Sequence, residues 1–259
     1  MKVKAVLFDL FDTLLLVKDG ETFYMPALAK LHHRLVEEKV NVPFEDFKRV
    51  YFEVRDKLYA EAAEKMEEPH FNVRVSRTLQ AFGYDYDVSH PIVRSATDVF
   101  AEEFMRYVVM DSEATEVLEK LHADYRLGVV SNFAIPECLN QLLEKFSLDR
   151  FFDVVIISGA VNIRKPNPAI FQMALRALNL KAEEAVFVGD TPSMDVKGAK
   201  NVGMHAILID RESQFKHASE PLIYRFPDEN IQIEPDKVID NLSELLSVLR
   251  DCHRTLLQD

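Results

Sequence analysis

The sequence predicts an α/β protein: a Rossmann-like parallel sheet core with an inserted all-helical cap. Three observations predict it. Short apolar runs recur along the chain and each stops at a polar or small residue. Helical apolar stripes lie between the later runs. One long stretch, from about residue 18 to residue 110, carries helical periodicity alone. Strand–helix alternation implies parallel strands joined by right-handed crossovers, and a helical stretch that interrupts it implies an insertion.

The first run is Val3 to Phe8, which stops at Asp9. The others are Leu127 to Val130 before Ser131-Asn132, Val154 to Ile157 before Ser158-Gly159, Ala185 to Val188 before Gly189-Asp190, and Ala206 to Ile209 before Asp210. Their apolar, largely β-branched residues are consecutive, as in strands buried on both faces. Between them, Leu139, Leu142, Leu143 and Phe146 form one stripe after Pro136, and Ile170, Phe171, Ala174, Leu175 and Leu178 another after Pro168. Proline suits a helix start because its missing N–H would be unpaired there in any case. Leu242, Leu245, Leu246 and Leu249 predict a last amphipathic helix. The Pro-containing stretch Glu220 to Asp236 reads as surface loop or a short extra strand. In the insert, the stripes are Leu28/Leu31/Leu35, Phe47/Val50/Val54/Leu58, Val75/Leu79/Phe82 and Val93/Ala96/Phe100/Phe104. The expected division is therefore a core of residues 1–17 and 111–259 and a cap of residues 18–110.

With 259 residues and 48% hydrophobic content, the chain can bury a substantial core. A formal net charge of −12 repels nucleic acid and anionic membranes at long range, so no nucleic-acid or membrane partner is expected. A small phosphorylated molecule can still bind where a metal ion or a local lysine supplies positive charge. Cys138 and Cys252 are neither a disulfide framework nor a metal-ligand pair. No apolar run is long enough to span a bilayer, and Asp9 and Asp12 interrupt the N-terminal one. A cytoplasmic location is expected. Nothing in the pattern speaks to oligomeric state.

Ligands of open α/β sheets bind beyond the carboxyl ends of the strands. Asp9, Ser131, Lys165 and Asp190 all stand at or just past such ends, so the fold can gather them in one crevice. Asp9 follows a buried run directly; an acid there needs a partner, a metal or a capping role. In Gly189-Asp190-Thr191-Pro192-Ser193-Met194-Asp195, Thr191 can cap a helix that begins at Pro192. Asp195 then falls in its first turn, where helix-dipole stabilisation is the simpler explanation. Placed beside Asp9, Asp190 and Asp195 would make an acidic pocket for a hard cation such as Mg²⁺. Lys165-Pro166-Asn167-Pro168 is a stiff arm, because residues before proline favour extended backbone. Asn167 can cap the following helix. Taken alone, Lys165 could be an ordinary exposed lysine, and Ser131-Asn132 a simple turn.

Four segments occur in order, one strand–helix unit apart: Phe8-Asp9-Leu10-Phe11-Asp12-Thr13-Leu14, Ser131-Asn132, Lys165-Pro166 and Gly189-Asp190 with Asp195. They resemble the four signature motifs of the haloacid dehalogenase superfamily, and the helical insert resembles that superfamily's small helical cap. The resemblance implies a hydrolase, with Asp9 as nucleophile to phosphorus and an aspartyl-phosphate intermediate. It further implies Mg²⁺ held by Asp9, the Phe11 backbone oxygen and Asp190, with Asp195 as a direct ligand or one step behind. Ser131, the Asn132 N–H and Lys165 would hold the phosphoryl oxygens, Lys165 counting also as catalytic. The cap would close over the site and select the leaving group.

Phe11 departs from the phosphatase pattern, which places a second Asp two residues after the nucleophile as general acid and base. That help is worth roughly 10²–10⁴-fold in rate. Asp12, one residue on, should point away in an extended segment. Three consequences follow: a leaving group that departs unprotonated, such as an acyl phosphate; a proton from a cap residue such as His32, His33 or His70; or a weakly catalytic, ligand-binding relative. An aromatic residue at this position also resembles the 2-haloacid dehalogenases, the alternative hydrolase, though Gly189, Asp190 and Asp195 match the metal-dependent branch. Arg55, Lys57 and Arg74 are cap cations able to meet an anionic substrate, or else solvated helix charges.

Overall fold

A computed structural model describes residues 3–18, 20–211 and 233–255. In chain order the elements are β1 (Ala5–Phe8), β2 (Leu15–Val17), α1 (Gly20–Glu37), α2 (Phe44–Ala63), α3 (Phe71–Ala81), α4 (Pro91–Phe104), β3 (Val108–Met110), α5 (Ala114–His122) and β4 (Arg126–Ser131). They continue with α6 (Pro136–Lys145), β5 (Val154–Ile157), α7 (Ser158–Val161), α8 (Pro168–Leu178), β6 (Ala185–Gly189), α9 (Lys197–Asn201), β7 (His205–Ile209), β8 (Lys237–Ile239) and α10 (Glu244–Thr255).

Six strands form one sheet in the order β5-β4-β1-β6-β7-β8, and every pairing in it is parallel. All five expected strands are present. A sixth strand, β8, lies just past the stretch read as loop or short strand; residues 233–236 of that stretch form no strand, and residues 220–232 lie outside the described residues. β1 shows why its run is continuously apolar. Val6 and Phe8 enter one hydrophobic cluster with α5, α6 and α10, while Ala5 and Leu7 enter another with α8 and α9. All four are fully buried, as a central strand covered by helices on both faces requires.

The stretch from residue 18 to residue 110 is helical as its stripes predict, with one exception. Val108–Met110 forms a strand, β3, that pairs antiparallel with β2. This two-stranded ribbon lies at the base of the helical insert, so the stretch to residue 110 is not helical throughout. The insert is packed, not loosely tethered. Phe11 and Phe133 of the sheet core meet Phe104 of α4, and Phe104 meets Phe23 of α1, with ring centroids 5.1–5.6 Å apart. Such aromatic contacts add to the area that they bury.

Chain order places the site. From β1 the chain crosses to β4 and β5 on one side, then returns to β6, β7 and β8 on the other. β1 is thus the switch point, and the crevice beyond its carboxyl end is flanked by the ends of β4 and β6.

Candidate active site

The Asp9 backbone N–H donates to Val188 O at 2.9 Å, extending the β1–β6 pairing by one residue and holding the Asp9 side chain at the strand tip. Ser131 ends β4 and Gly189 ends β6. Lys165 arrives from the loop before α8, whose first turn is capped by Asn167: its side chain accepts the Ala169 N–H at 3.0 Å, as expected. The loop itself is pinned by Asn132. The Asn132 amide accepts the Lys165 N–H at 2.8 Å and donates to the Lys165 carbonyl at 3.1 Å. One side chain so replaces a missing strand neighbour and fixes the backbone of the lysine.

The Lys165 Nζ stands 2.6 Å from Asp9 Oδ1 and 2.6 Å from Asp195 Oδ1. All three residues are buried. Burial works to lower the Lys165 pKa, but Asp195 and Asp9 outweigh it and hold the ammonium above the ordinary lysine value. Burial pushes Asp9 up from 3.8 to about 6; the Lys165 charge opposes this, and the Asp195 carboxylate adds to it. Asp9, Asp190 and Asp195 each offer a carboxylate oxygen, and these atoms lie within 4.8 Å of one another. Asp190 is half-buried, so the cluster faces solvent on that side.

Thr191 does not cap by its side chain. Pro192–Val196 is a single wide helical turn in which Asp195 Oδ2 accepts the Thr191 N–H at 2.9 Å, and the Thr191 hydroxyl donates to Asp190 at 3.2 Å. Proline leads the turn as expected, but it is the carboxylate that closes it. Gly189 is required here. A Cβ at this position would lie 2.4 Å from Asp195 Cγ and Oδ2.

Asp9, Phe11, Asp12, Ser131, Asn132, Lys165, Asp190, Thr191, Met194 and Asp195 line one pocket. The Ser131 hydroxyl is buried there without a hydrogen-bond partner among the described residues. Asp12 corrects an expectation. The segment is a tight loop, not extended: Asp12 has φ 56°, and both Leu14 N–H and Leu15 N–H return to Leu10 O at 2.9 Å. Left-handed backbone turns Asp12 inward, so it lines the pocket rather than facing away.

None of the cap residues considered from sequence lines this pocket. His32 pairs with Val42 O, exposed His33 lies by Glu37, and His70 caps α3 and meets Glu137. Arg55 stacks on Phe52 and pairs with Asp56, and Lys57 is exposed. Arg74 is no solvated charge: it is buried and donates to the hydroxyls of Tyr24, Tyr51 and Tyr59. Sequence reasoning missed three things: the side-chain work of Asn132, which needs a loop 33 residues away; the inward Asp12, which needs one backbone angle; and the tight contact at Gly189, which needs the wide turn that brings Asp195 back onto it. The strand-end position of Asn132 was the one available signal.

A parallel sheet that brings a strand-tip aspartate, a buried lysine and two further carboxylates to its switch point defines an α/β enzyme with a charged active centre. The chain belongs to the haloacid dehalogenase-like hydrolase family, whose model matches residues 3–203, and it is a hydrolase. A second model, for HAD-hydrolase-like proteins, matches residues 162–245. The chain is 32% identical over 208 residues to a glyceraldehyde 3-phosphate phosphatase of Pyrococcus abyssi, covering 79% of this chain and 80% of that one. It is 35% identical over 118 residues to a phosphoserine phosphatase of Thermus thermophilus, covering 46% of this chain and only 47% of the relative. Among solved structures, a 2-haloacid dehalogenase of Pseudomonas syringae pv. Tomato superposes with a TM-score of 0.69 at 29% identity, over 96% of this chain and 99% of that one.

Proposed function

We propose that this hydrolase is an Mg²⁺-dependent phosphohydrolase acting on a small phosphorylated metabolite through an aspartyl-phosphate on Asp9. The observation that carries the reading is the convergence of Asp9, Asp190 and Asp195 within 4.8 Å at the strand ends. A 2-haloacid dehalogenase reaction, displacement of halide by a carboxylate, has no use for such a cluster. Phosphatase-named relatives support the same choice.

An all-oxygen donor set, open to solvent at Asp190, fits a hard cation that keeps several of its waters. Asp9, Asp190 and the Phe11 carbonyl would hold it, with Asp195 as a direct ligand or one step behind. When bound, Mg²⁺ supplies positive charge to the phosphoryl oxygens. The rest falls to the chain's own groups. Asp9 attacks phosphorus as the carboxylate, forming an O–P bond while the bond to the leaving oxygen breaks and that oxygen keeps the electron pair. Lys165 neutralises charge on the transferring group, and the Ser131 hydroxyl and Asn132 N–H donate to its oxygens. Water then attacks the intermediate, releasing inorganic phosphate and restoring Asp9. With Phe11 beside the nucleophile in place of an acid, a leaving group that departs unprotonated, as from an acyl phosphate, is favoured. Residues 18–110 act in this reading as the cap that covers the site.

Among the described residues no helix is long and apolar enough to cross a membrane. A cytoplasmic setting belongs to the proposal. The dehalogenase alternative rests on Phe11 and on the Pseudomonas structure. One assay separates the two: hydrolysis of acetyl phosphate and p-nitrophenyl phosphate with Mg²⁺ or chelator, beside halide release from 2-chloropropionate. Mg²⁺-dependent phosphate release lost in Asp9→Asn is the expected result. Halide release indifferent to chelation would replace the proposal with its alternative.

A further inference from the structure

The turn between α2 and α3 reaches both loops that hold the crevice. On the lysine loop, the Arg164 N–H donates to Met66 O at 2.9 Å, and the Arg164 guanidinium lies 3.5 Å from the Glu68 carboxylate. Both side chains of that ion pair are buried, at 1% and 4% exposure. On the loop after β4, Ala134 O accepts the Phe71 N–H at 2.9 Å. Beside it, His70 Nδ1 accepts the Asn72 N–H, which leaves the ring proton on Nε2 to donate to Glu137 at 3.0 Å. The two core loops are themselves joined by the Asn132–Lys165 pair.

A buried ion pair is a weak source of stability, because desolvation offsets most of its attraction and apolar residues of like volume often serve as well. It does fix geometry. Here it fixes the residue next to Lys165, whose Nζ must sit between Asp9 and Asp195. Lys165 is thus constrained from two sides, by Asn132 on its own backbone and by Glu68 and Met66 through Arg164.

We infer that Glu68 is a positioning residue: through its buried pair with Arg164 it makes the placement of Lys165 depend on the seating of the 66–71 turn. The inference rests on the reading of Lys165 as a group that acts on the transferring phosphoryl. Under it, the turn is part of the frame of the site although it lines no part of the pocket. Misplacing a charge-neutralising group is felt most in the transition state, so kcat should respond more than KM.

Removing Glu68 alone would leave Arg164 charged and buried, which can unfold the chain. The informative variant is Glu68→Gln/Arg164→Met, which removes both charges together. On the full chain, three quantities would be measured: the thermal midpoint, kcat and KM for Mg²⁺-dependent acetyl phosphate hydrolysis, and amide hydrogen exchange at Arg164, Lys165 and Phe71. The expected result is a folded protein with kcat lower by at least about tenfold, KM changed by less than about threefold, and faster exchange at Arg164 and Lys165. A wild-type kcat overturns the inference, whatever the midpoint does. A lower kcat with unchanged exchange overturns it too. If the unaltered protein turns over no phosphate probe, the functional reading fails by itself. Exchange then decides the link between turn and loop: lost protection at Arg164 and Lys165 upholds it, and unchanged protection overturns it.

Discussion

Replacing Asp9 with Asn should make the metal-free protein more stable and abolish its activity. Asp9 is buried, and its carboxyl titrates at about 6 instead of 3.8 despite the Lys165 ammonium at 2.6 Å. A folded-state pKa above the unfolded value means the proton is held more tightly in the folded chain. The resulting stabilisation is fully present below pH 3.8 and is lost as the pH rises through about 6. The shift corresponds to on the order of 3 kcal/mol. Asn keeps the shape and removes the ionisation, though it also takes one carboxylate from Lys165. The net gain expected at pH 8 is roughly 1–3 kcal/mol, or roughly 3–10 °C in midpoint for a chain of this size. The gain should shrink as pH falls and vanish below about pH 4. Thermal denaturation of both proteins across pH 4–8 in chelator reads it directly. Adding Mg²⁺ should narrow the gap by stabilising the Asp9 form, since a ligand of the folded state alone raises its stability. An Asn variant less stable than the parent at pH 8, or a gap independent of pH, would refute the account of Asp9 as an ionised group held at a cost.

Other substitutions probe the site's remaining parts. Ser131→Ala removes a buried hydroxyl that has no partner among the described residues; its stability should stay within about 0.5 kcal/mol of the parent, while kcat/KM for acetyl phosphate falls roughly 10²-fold. Gly189→Ala drives a methyl group to within 2.4 Å of the Asp195 carboxylate; calorimetric titration with Mg²⁺ should show lost binding, and denaturation a cost of about 1–3 kcal/mol. Phe11→Asp places an acid where phosphatases of this superfamily carry one, but also between Phe133 and Phe104. It should destabilise the fold by about 3 kcal/mol or more in denaturant titrations, with no gain in p-nitrophenyl phosphate turnover.

The sheet and most of the helices were legible in the sequence because their signals are local. β1 reads as a continuous apolar run since both its faces are covered, and the α8 stripe repeats at the helical period after a proline that suits its first turn. The strand-end positions of Asp9, Ser131, Asn132, Asp190 and the loop position of Lys165 follow from the same pattern, which is why one crevice could be named in advance. The ribbon of β2 and β3 was not legible. Each strand has three residues, too few to show a period, and each finds its partner across the whole helical insert.

Charge burial was decided only by the tertiary structure. Arg74 and Arg164 carry no local mark that separates them from solvated Arg49 or Arg77; three tyrosine hydroxyls from two other helices and one glutamate from a distant turn keep them inside. The same holds for the inward Asp12, set by one left-handed backbone angle, and for Asp195, which closes its own turn and shares Lys165 with Asp9. Periodicity reports which face of an element is apolar, because that is a property of neighbours in the chain. The state of a buried charge is a balance between desolvation and partners brought from elsewhere, and those partners exist only once the chain has folded.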